Sequence, residues 1–582
     1  MHRFRSILFL GLIITASVGI SLTALYLLFA NTYAEFISWF LLRIHKQHLL
    51  TSASSFLSYK QFVLLRIVAV LLSLGVLLLL VVAYKKRSAL LDRTTFLLEH
   101  LTFVFVNFMK NLLPTGRFQR RLFFFLVGFY LVRTAISIFY YPIDFDEADT
   151  YMLFSSQGPL VAATFYPLPN NHILFSIITS ITSVLPIDPV YALRLPLLPI
   201  GLLAILSMYG LLKRYFTEEA ALVGLSFFIA SYPLFIYSFL ARGYLLLLLF
   251  YIIALYAIFE LCFSHVHKKR HSYLLTLASV GGLYTIPSFL YALAGLFLFA
   301  FAALVIQKRT ATIVRLVKIG FAIALISAIL YLPVIISVKW SLLKPYMIPV
   351  YDRINMLTAF TTTFGYLSKT FLSPVNFIAV CFGCFFLIGC FFLLRSKQYL
   401  IKAVAFFVLL QFILPFAVFF VFKQQFPPKP WMHLSVVTAF LVAAIINLLL
   451  KRKNLIPYLL VITLLLVSGT VASYLYKNKN TTTGYNLIAK QCEQLLIEKN
   501  VKEVYTGIPY FKTMIDYYAI KNKLQVSLSN SRQTSRLYTA FDPQKKYDLI
   551  IIPIDDSKIP PLLYLYDTII QANNTTVLLI RQ

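Results

Sequence analysis

Apolar runs of about 20 residues recur along this chain, separated by short basic or polar turns. Each is long enough to cross ~30 Å of hydrocarbon as a helix. The pattern predicts about 13 transmembrane helices, at roughly 7–30, 61–84, 119–141, 190–212, 220–239, 243–263, 272–290, 291–307, 316–338, 376–394, 399–422, 432–450 and 455–476. The first run is too long for the apolar region of a signal peptide and is read as a span. Between spans two and three, the apolar positions Leu90, Leu91, Phe96, Leu97, Leu98 and Leu101 predict an interfacial amphipathic helix. The stretch PNNHILFSIITSITSVLP (169–186) is apolar but short, and is expected to lie at the membrane surface.

Past residue 477 the pattern changes. A polar linker, YKNKNTTTGYN, leads into a region of mixed periodicity. NLIAKQCEQLLIEK, PYFKTMIDYYAI and PPLLYLYDTIIQ read as helices; VKEVYTG, YDLIIIPI and TTVLLIRQ read as strands. Alternation of this kind predicts a small α/β domain with a partly parallel sheet. The expected organisation is therefore a two-span region (1–118), a membrane domain (119–476) with an outer loop at 142–189, and a soluble domain (477–582). The fold class expected is an all-α polytopic membrane protein carrying a small extracytoplasmic α/β domain.

Composition sharpens this reading. The chain is 60% hydrophobic and only 13% charged, with a mean hydropathy of +0.81, so most of its surface has to face lipid. Its 52 basic against 21 acidic residues raise the question of nucleic acid. The basic residues, however, cluster in short loops such as Lys85-Lys86-Arg87, Lys268-Lys269-Arg270 and Lys451-Arg452-Lys453, the positive-inside pattern of a multi-pass membrane protein. No nucleic-acid partner is assigned. With the N-terminus cytoplasmic, thirteen spans leave the C-terminal domain outside, in the periplasm or its equivalent. The close pair Cys381 and Cys384 lies within an apolar span, where small packing residues are expected rather than a metal or redox site.

Against this apolar background, YYPIDFDEADTYMLF (140–154) places Asp144, Asp146, Glu147 and Asp149 at the outer end of span three. Acids at a helix start can simply cap free N–H groups and complement the helix dipole. They can also supply a general base, because sugar transfer from a phosphate leaving group needs one carboxylate to take a proton from the acceptor hydroxyl. Crowding beside an apolar surface is expected to raise their pKa values. Arg133 lies deep in span three, where charge is costly and often functional, and is expected to pair with a carboxylate or another polar group.

Along the chain a series of motifs follows in order: Asp146-Glu147, NHILF with His172, ALRLPLLPIGLLAIL with Arg194, ARGYLLLLLFY with Arg242 and Tyr244, GLYTIPSF, and FPPKPWMHLSV. Over about 120–435 this order resembles the family 39-type glycosyltransferases, the protein O-mannosyltransferases and lipid A aminoarabinose transferases with the GT-C membrane fold. The chain departs from that pattern where His172 lacks two following prolines, where Ile286 replaces a histidine, and in its two extra N-terminal spans.

The resemblance implies inverting transfer of a sugar from a polyprenyl-phosphate donor to an acceptor hydroxyl on the extracytoplasmic face. The acceptor is a glycan, a glycolipid or a protein. Asp146 is the implied base and Glu147 its partner in positioning the acceptor. Arg242, able to hold two phosphate oxygens at once, is the first choice for the lipid phosphate, with Lys423 and Lys429 as second choices. His172, Tyr244, Asp149 and Arg133 complete the expected substrate-binding set. Asp144, Asp146, Glu147 and Asp149 offer hard oxygen ligands to a divalent metal, but the resemblance implies no cofactor and no obligatory metal, and the acidic spacing matches no EF-hand loop. The alternative reading is a transporter or flippase of a lipid-linked sugar. Transporters commonly show paired, Gly/Pro-broken halves, and none are evident here.

Overall fold

The computed structural model describes residues 2–43, 58–89, 91–92, 112–166, 171–264, 268–337, 348–349, 365, 376–422, 424–425, 429–449, 468–469, 482–530, 546–553, 566–572 and 575–580. Among these, eight helices are long and apolar enough to cross a membrane by length and composition. They run from Tyr59–Val82 to Lys429–Leu449. The helix His2–Phe29 coincides with the first expected span. The expected amphipathic helix near 90–101 falls largely outside the described residues, and the expected span 455–476 almost wholly so.

Helix Arg117–Tyr140 shows how the bundle meets lipid. Phe123, Leu126, Tyr130, Thr134 and Ser137 form one buried stripe, spaced three or four residues apart as one helix face requires. Phe124, Phe125, Val132, Ile136 and Phe139 are exposed on other faces. In water such a surface would be a liability; in a bilayer it matches the acyl chains.

The bundle interior is fixed by aromatic packing. Phe259 meets Phe299 at 5.3 Å, Phe407 at 5.5 Å and Phe440 at 5.2 Å, joining four helices at one level. A second close contact needs a glycine. A Cβ on Gly224 would stand 2.9 Å from the Ala439 carbonyl oxygen and 2.9 Å from the Ala443 Cβ, so helices Glu218–Ala230 and Leu434–Leu449 approach on small residues.

That first helix is shorter than the span expected at 220–239. It ends at Ala230, and a separate turn of helix starts at Tyr232 with Pro233 in its first positions. Proline cannot donate to a continuing helix, and the break reshapes the region beneath the site. Arg133 serves this break: its Nη1 donates to the Ile229 carbonyl at 2.8 Å and its guanidinium lies 4.9 Å from the Phe235 ring centre. The polar group it was expected to find is thus a helix-end carbonyl, not a carboxylate.

The segment after Tyr140 turns through Pro142 into a nine-residue helix, Phe145–Leu153, called here the carboxylate helix. Beyond it, Ile173–Thr182 is a ten-residue apolar helix, too short to span, as expected for 169–186. Helix Pro189–Arg194 then leads into Leu197–Tyr215.

The C-terminal region is α/β. Helices Thr482–Glu498 and Pro509–Lys521 accompany a sheet of β1 (Glu503–Thr506), β2 (Ser527–Asn530), β3 (Leu549–Pro553), β4 (Tyr566–Ala572) and β5 (Thr575–Ile580). The strand order is β2-β1-β3-β5-β4. β1 runs parallel to β2 and β3, and β5 antiparallel to β3 and β4. One element differs from expectation: YDTIIQA, read as the end of a helix, forms β4. Only two residues separate it from β5, so the segment closes as a hairpin, and its β-branched Thr568, Ile569 and Ile570 suit a strand. Among the membrane-side loops, Ile348–Pro349 pairs antiparallel with Gln424–Gln425.

Candidate active site

The carboxylate helix is held by its own sequence first. Asp144 is its N-cap: one side-chain oxygen accepts from the Asp146 amide at 3.0 Å. Glu147 completes a capping box by accepting from the Asp144 amide at 2.9 Å. The capping role thus falls to Asp144, leaving Asp146 free to face outward.

Glu147 is fully buried. Four donors converge on its carboxylate: Arg194 Nε at 2.9 Å, Arg194 Nη2 at 2.6 Å, the Ala241 amide at 2.6 Å and the Asp144 amide. Arg194 is equally enclosed, and its remaining N–H groups donate to the carbonyls of Ile138, Tyr141 and Pro142 at 2.9, 2.7 and 3.0 Å. All five guanidinium donors are satisfied. Glu147, expected to position the acceptor, is therefore turned into the protein, where its oxygens are taken. Sequence reasoning used Arg194 as a motif marker but missed this pairing. The available signal was a charge two residues before Pro196 at the mouth of a span.

Asp146 is the outward carboxylate, its side chain 27% exposed. Its Oδ2 lies 3.1 Å from Lys429 Nζ and 3.7 Å from Arg242 Nη2. Burial pushes its pKa up, but Arg242 and Lys429 outweigh that and hold the carboxyl below the usual range. The raised value expected from crowding occurs at Asp144, driven by burial and then by Asp146 and Glu147.

Arg242 sits in the turn before helix Tyr244–Phe263 and is nearly enclosed. Its Nη1 donates to the Asp146 carbonyl at 3.0 Å and to Thr150 Oγ1 at 3.2 Å. His172 is also buried. Its Nδ1 accepts from the Gly243 amide at 2.8 Å, so the neutral ring carries its proton on Nε2. Burial, then Arg242 and Lys429, depress its pKa well below the ordinary histidine value and keep it neutral. Nε2 stands 3.5 Å from Arg242 Nη2. With the proton on Nε2 these are two donors side by side, an arrangement suited to a shared anion. Gly243 permits it: a Cβ there would meet Thr285 Cγ2 at 2.7 Å and His172 Cβ at 2.9 Å.

Tyr244 packs edge-on against His172 at 4.7 Å and beside Tyr237 at 4.5 Å. Lys429 opens a short turn, Lys429–Trp431, whose Trp431 packs on Tyr291 at 5.3 Å. The structure thus gathers Asp146, His172, Arg242, Tyr244 and Lys429 around one open carboxylate, with Glu147 directly behind. Asp149 lies partly buried one turn on along the carboxylate helix. Arg133 is held elsewhere by Ile229 and Phe235. Lys423 lies outside the described residues. Among the described residues no group of three or more His, Cys, Asp or Glu side chains is arranged to hold a metal ion.

No family model and no curated protein matches the sequence. Solved structures do resemble it at low identity. The crystal structure of ArnT from Cupriavidus metallidurans bound to undecaprenyl phosphate aligns with 11% identity and a TM-score of 0.47, covering 78% of this chain and 97% of that one. The apo form of the same protein aligns at 12% identity and a TM-score of 0.43. Arabinosyltransferase EmbB from Mycobacterium smegmatis aligns at 13% identity and a TM-score of 0.30, covering 76% of this chain and 47% of that one.

Proposed function

We propose that the chain is an integral-membrane GT-C-type glycosyltransferase. It moves a sugar, with inversion, from a polyprenyl-phosphate donor to an acceptor hydroxyl on the extracytoplasmic face. The observation that carries this is the partly open Asp146 carboxylate, with Arg242 and Lys429 at one oxygen and a neutral His172 beside Arg242. The ordered motifs over about 120–435 agree with it.

In this reading Asp146 accepts the proton of the acceptor hydroxyl as that oxygen bonds to the anomeric carbon. The bond from that carbon to the phosphate oxygen breaks, and polyprenyl phosphate leaves with the electron pair. Arg242, Lys429 and the Nε2–H of His172 take up the charge that develops on the phosphate. An ionised Asp146 accepts a hydrogen bond from the acceptor before transfer. Its lowered pKa makes it a modest base, adequate where bond cleavage runs ahead of proton loss. Glu147 and Arg194 position the carboxylate helix. Tyr244 fixes the His172 ring, and the lipid tail runs along the apolar outer faces of the bundle.

The test uses purified chain in detergent with a polyprenyl-phosphate sugar and a panel of glycan, glycolipid and protein acceptors. Release of free polyprenyl phosphate that disappears in Asp146→Asn supports the reading. Movement of lipid-linked sugar across vesicles that survives Asp146→Asn, with no release of polyprenyl phosphate, would favour a flippase instead.

A further inference from the structure

The C-terminal α/β region touches the carboxylate helix directly, and does so in a repeated way. Asp144 caps its helix with one oxygen, and its other oxygen accepts from Asn486 Nδ2 of the C-terminal region at 3.3 Å. Asp188 caps the helix that carries Arg194 with Oδ1, accepting from the Val190 amide at 2.9 Å, while its Oδ2 pairs with Lys521 Nζ at 2.9 Å. Each capping aspartate thus faces its own helix on one side and the C-terminal region on the other. Those two helices supply Glu147 and Arg194, the buried pair behind Asp146.

Aromatic contacts extend the grip along the carboxylate helix. Phe145 stacks on Tyr510 at 5.2 Å with ring planes 24° apart, and Tyr151 meets Tyr517 edge-on at 5.8 Å. Tyr510 and Tyr517 share helix Pro509–Lys521 with Lys521. Lys521 is anchored in turn by Glu493 at 3.1 Å. A nine-residue helix is marginal on its own, so its geometry depends on what packs against it.

We propose that the C-terminal region is a clamp that positions the carboxylate helix, with Asn486, Tyr510 and Lys521 as positioning residues for transfer at Asp146. The proposal rests on the reaction proposed above; its first readout does not. Full-length chain in detergent is compared with Asn486→Ala, Tyr510→Ala and Tyr510→Phe by hydrogen exchange over 145–153, with exchange over 549–553 reporting that the C-terminal sheet is intact. Losing one hydrogen bond or one ring stack should speed exchange over 145–153 by about tenfold. Tyr510→Phe, which keeps the ring stack, should stay much closer to wild type than Tyr510→Ala.

The second readout is transfer. The alanine variants should lose kcat by about tenfold with donor KM unchanged, since the phosphate donors stay in place. Lys521→Met should lower kcat in the same way, and Lys521→Arg should restore it. Unchanged exchange over 145–153 in both alanine variants would overturn the clamp, as would faster exchange with unchanged kcat. A wild-type chain without transfer would refute the reaction, and the exchange measurement alone would then uphold or overturn the clamp.

Discussion

Glu147→Gln changes one atom type and keeps the shape, so it isolates what the carboxylate does. Both Glu147 oxygens only accept, and four N–H donors point at them. A glutamine must present an NH2 group to two of those donors. Arg194 loses its charged partner in either orientation, and one amide faces another donor: that of Ala241 where the NH2 replaces Oε1, that of Asp144 where it replaces Oε2. Removing one partner of a buried ion pair costs about 3–5 kcal/mol, chiefly because the other charge is left uncompensated. At 1.4 kcal/mol per decade, that is roughly a hundredfold to a few thousandfold faster opening, read as hydrogen exchange at the Ala241 and Asp144 amides. The thermal midpoint in detergent should fall together with turnover. Arg194→Met should behave similarly, and Glu147→Gln combined with Arg194→Met should cost clearly less than the two single losses added together. If Glu147 instead met the acceptor directly, Gln would lower turnover while exchange and the midpoint stayed at wild type. That outcome would refute the positioning role.

Other consequences are as direct. In the proposed reaction Asp146 acts as the ionised carboxylate, so activity should fall as pH drops through its depressed pKa; Lys429→Met removes one cause of that depression and should move the acid limb upward, towards the ordinary carboxylate value near ~4. His172 stays neutral when folded but would protonate near pH ~6.5 when unfolded, so stability should decline as pH falls below that point; His172→Asn, which can still accept from Gly243, should flatten this decline in thermal midpoint and weaken donor binding about tenfold or more through loss of the Nε2–H. Gly243→Ala forces a methyl into contact with Thr285 and His172, and should cost about 1–3 kcal/mol of stability with loss of transfer. Arg133→Met should lower the thermal midpoint and leave donor KM unchanged, because Arg133 touches Ile229 and Phe235 and not the open carboxylate.

The local features of the site are legible in the sequence alone. The acidic run at the end of an apolar span, the Arg-Gly-Tyr start of another and the short interfacial stretch after Asn171 each stand out against a background poor in charge. The pairings were not legible, because they join residues that sequence separates widely: Glu147 with Arg194, and Asp146 with Lys429 nearly 300 positions away. Local patterning also could not say which acid of the cluster would cap the helix. That was decided by chain direction, which turns Asp144 towards the Asp146 amide and leaves the Asp146 side chain outward. At the other end of the chain, the spacing of Leu and Tyr in PPLLYLYDTIIQ mimics a helix. A neighbouring strand two residues away overrides it, as tertiary pairing commonly overrides local preference.

The small ladder between Ile348–Pro349 and Gln424–Gln425 ends four residues before Lys429. It leashes two stretches of chain that lie more than seventy positions apart. A segment distant in sequence is thereby joined to the chain within a few positions of the ammonium that neighbours Asp146.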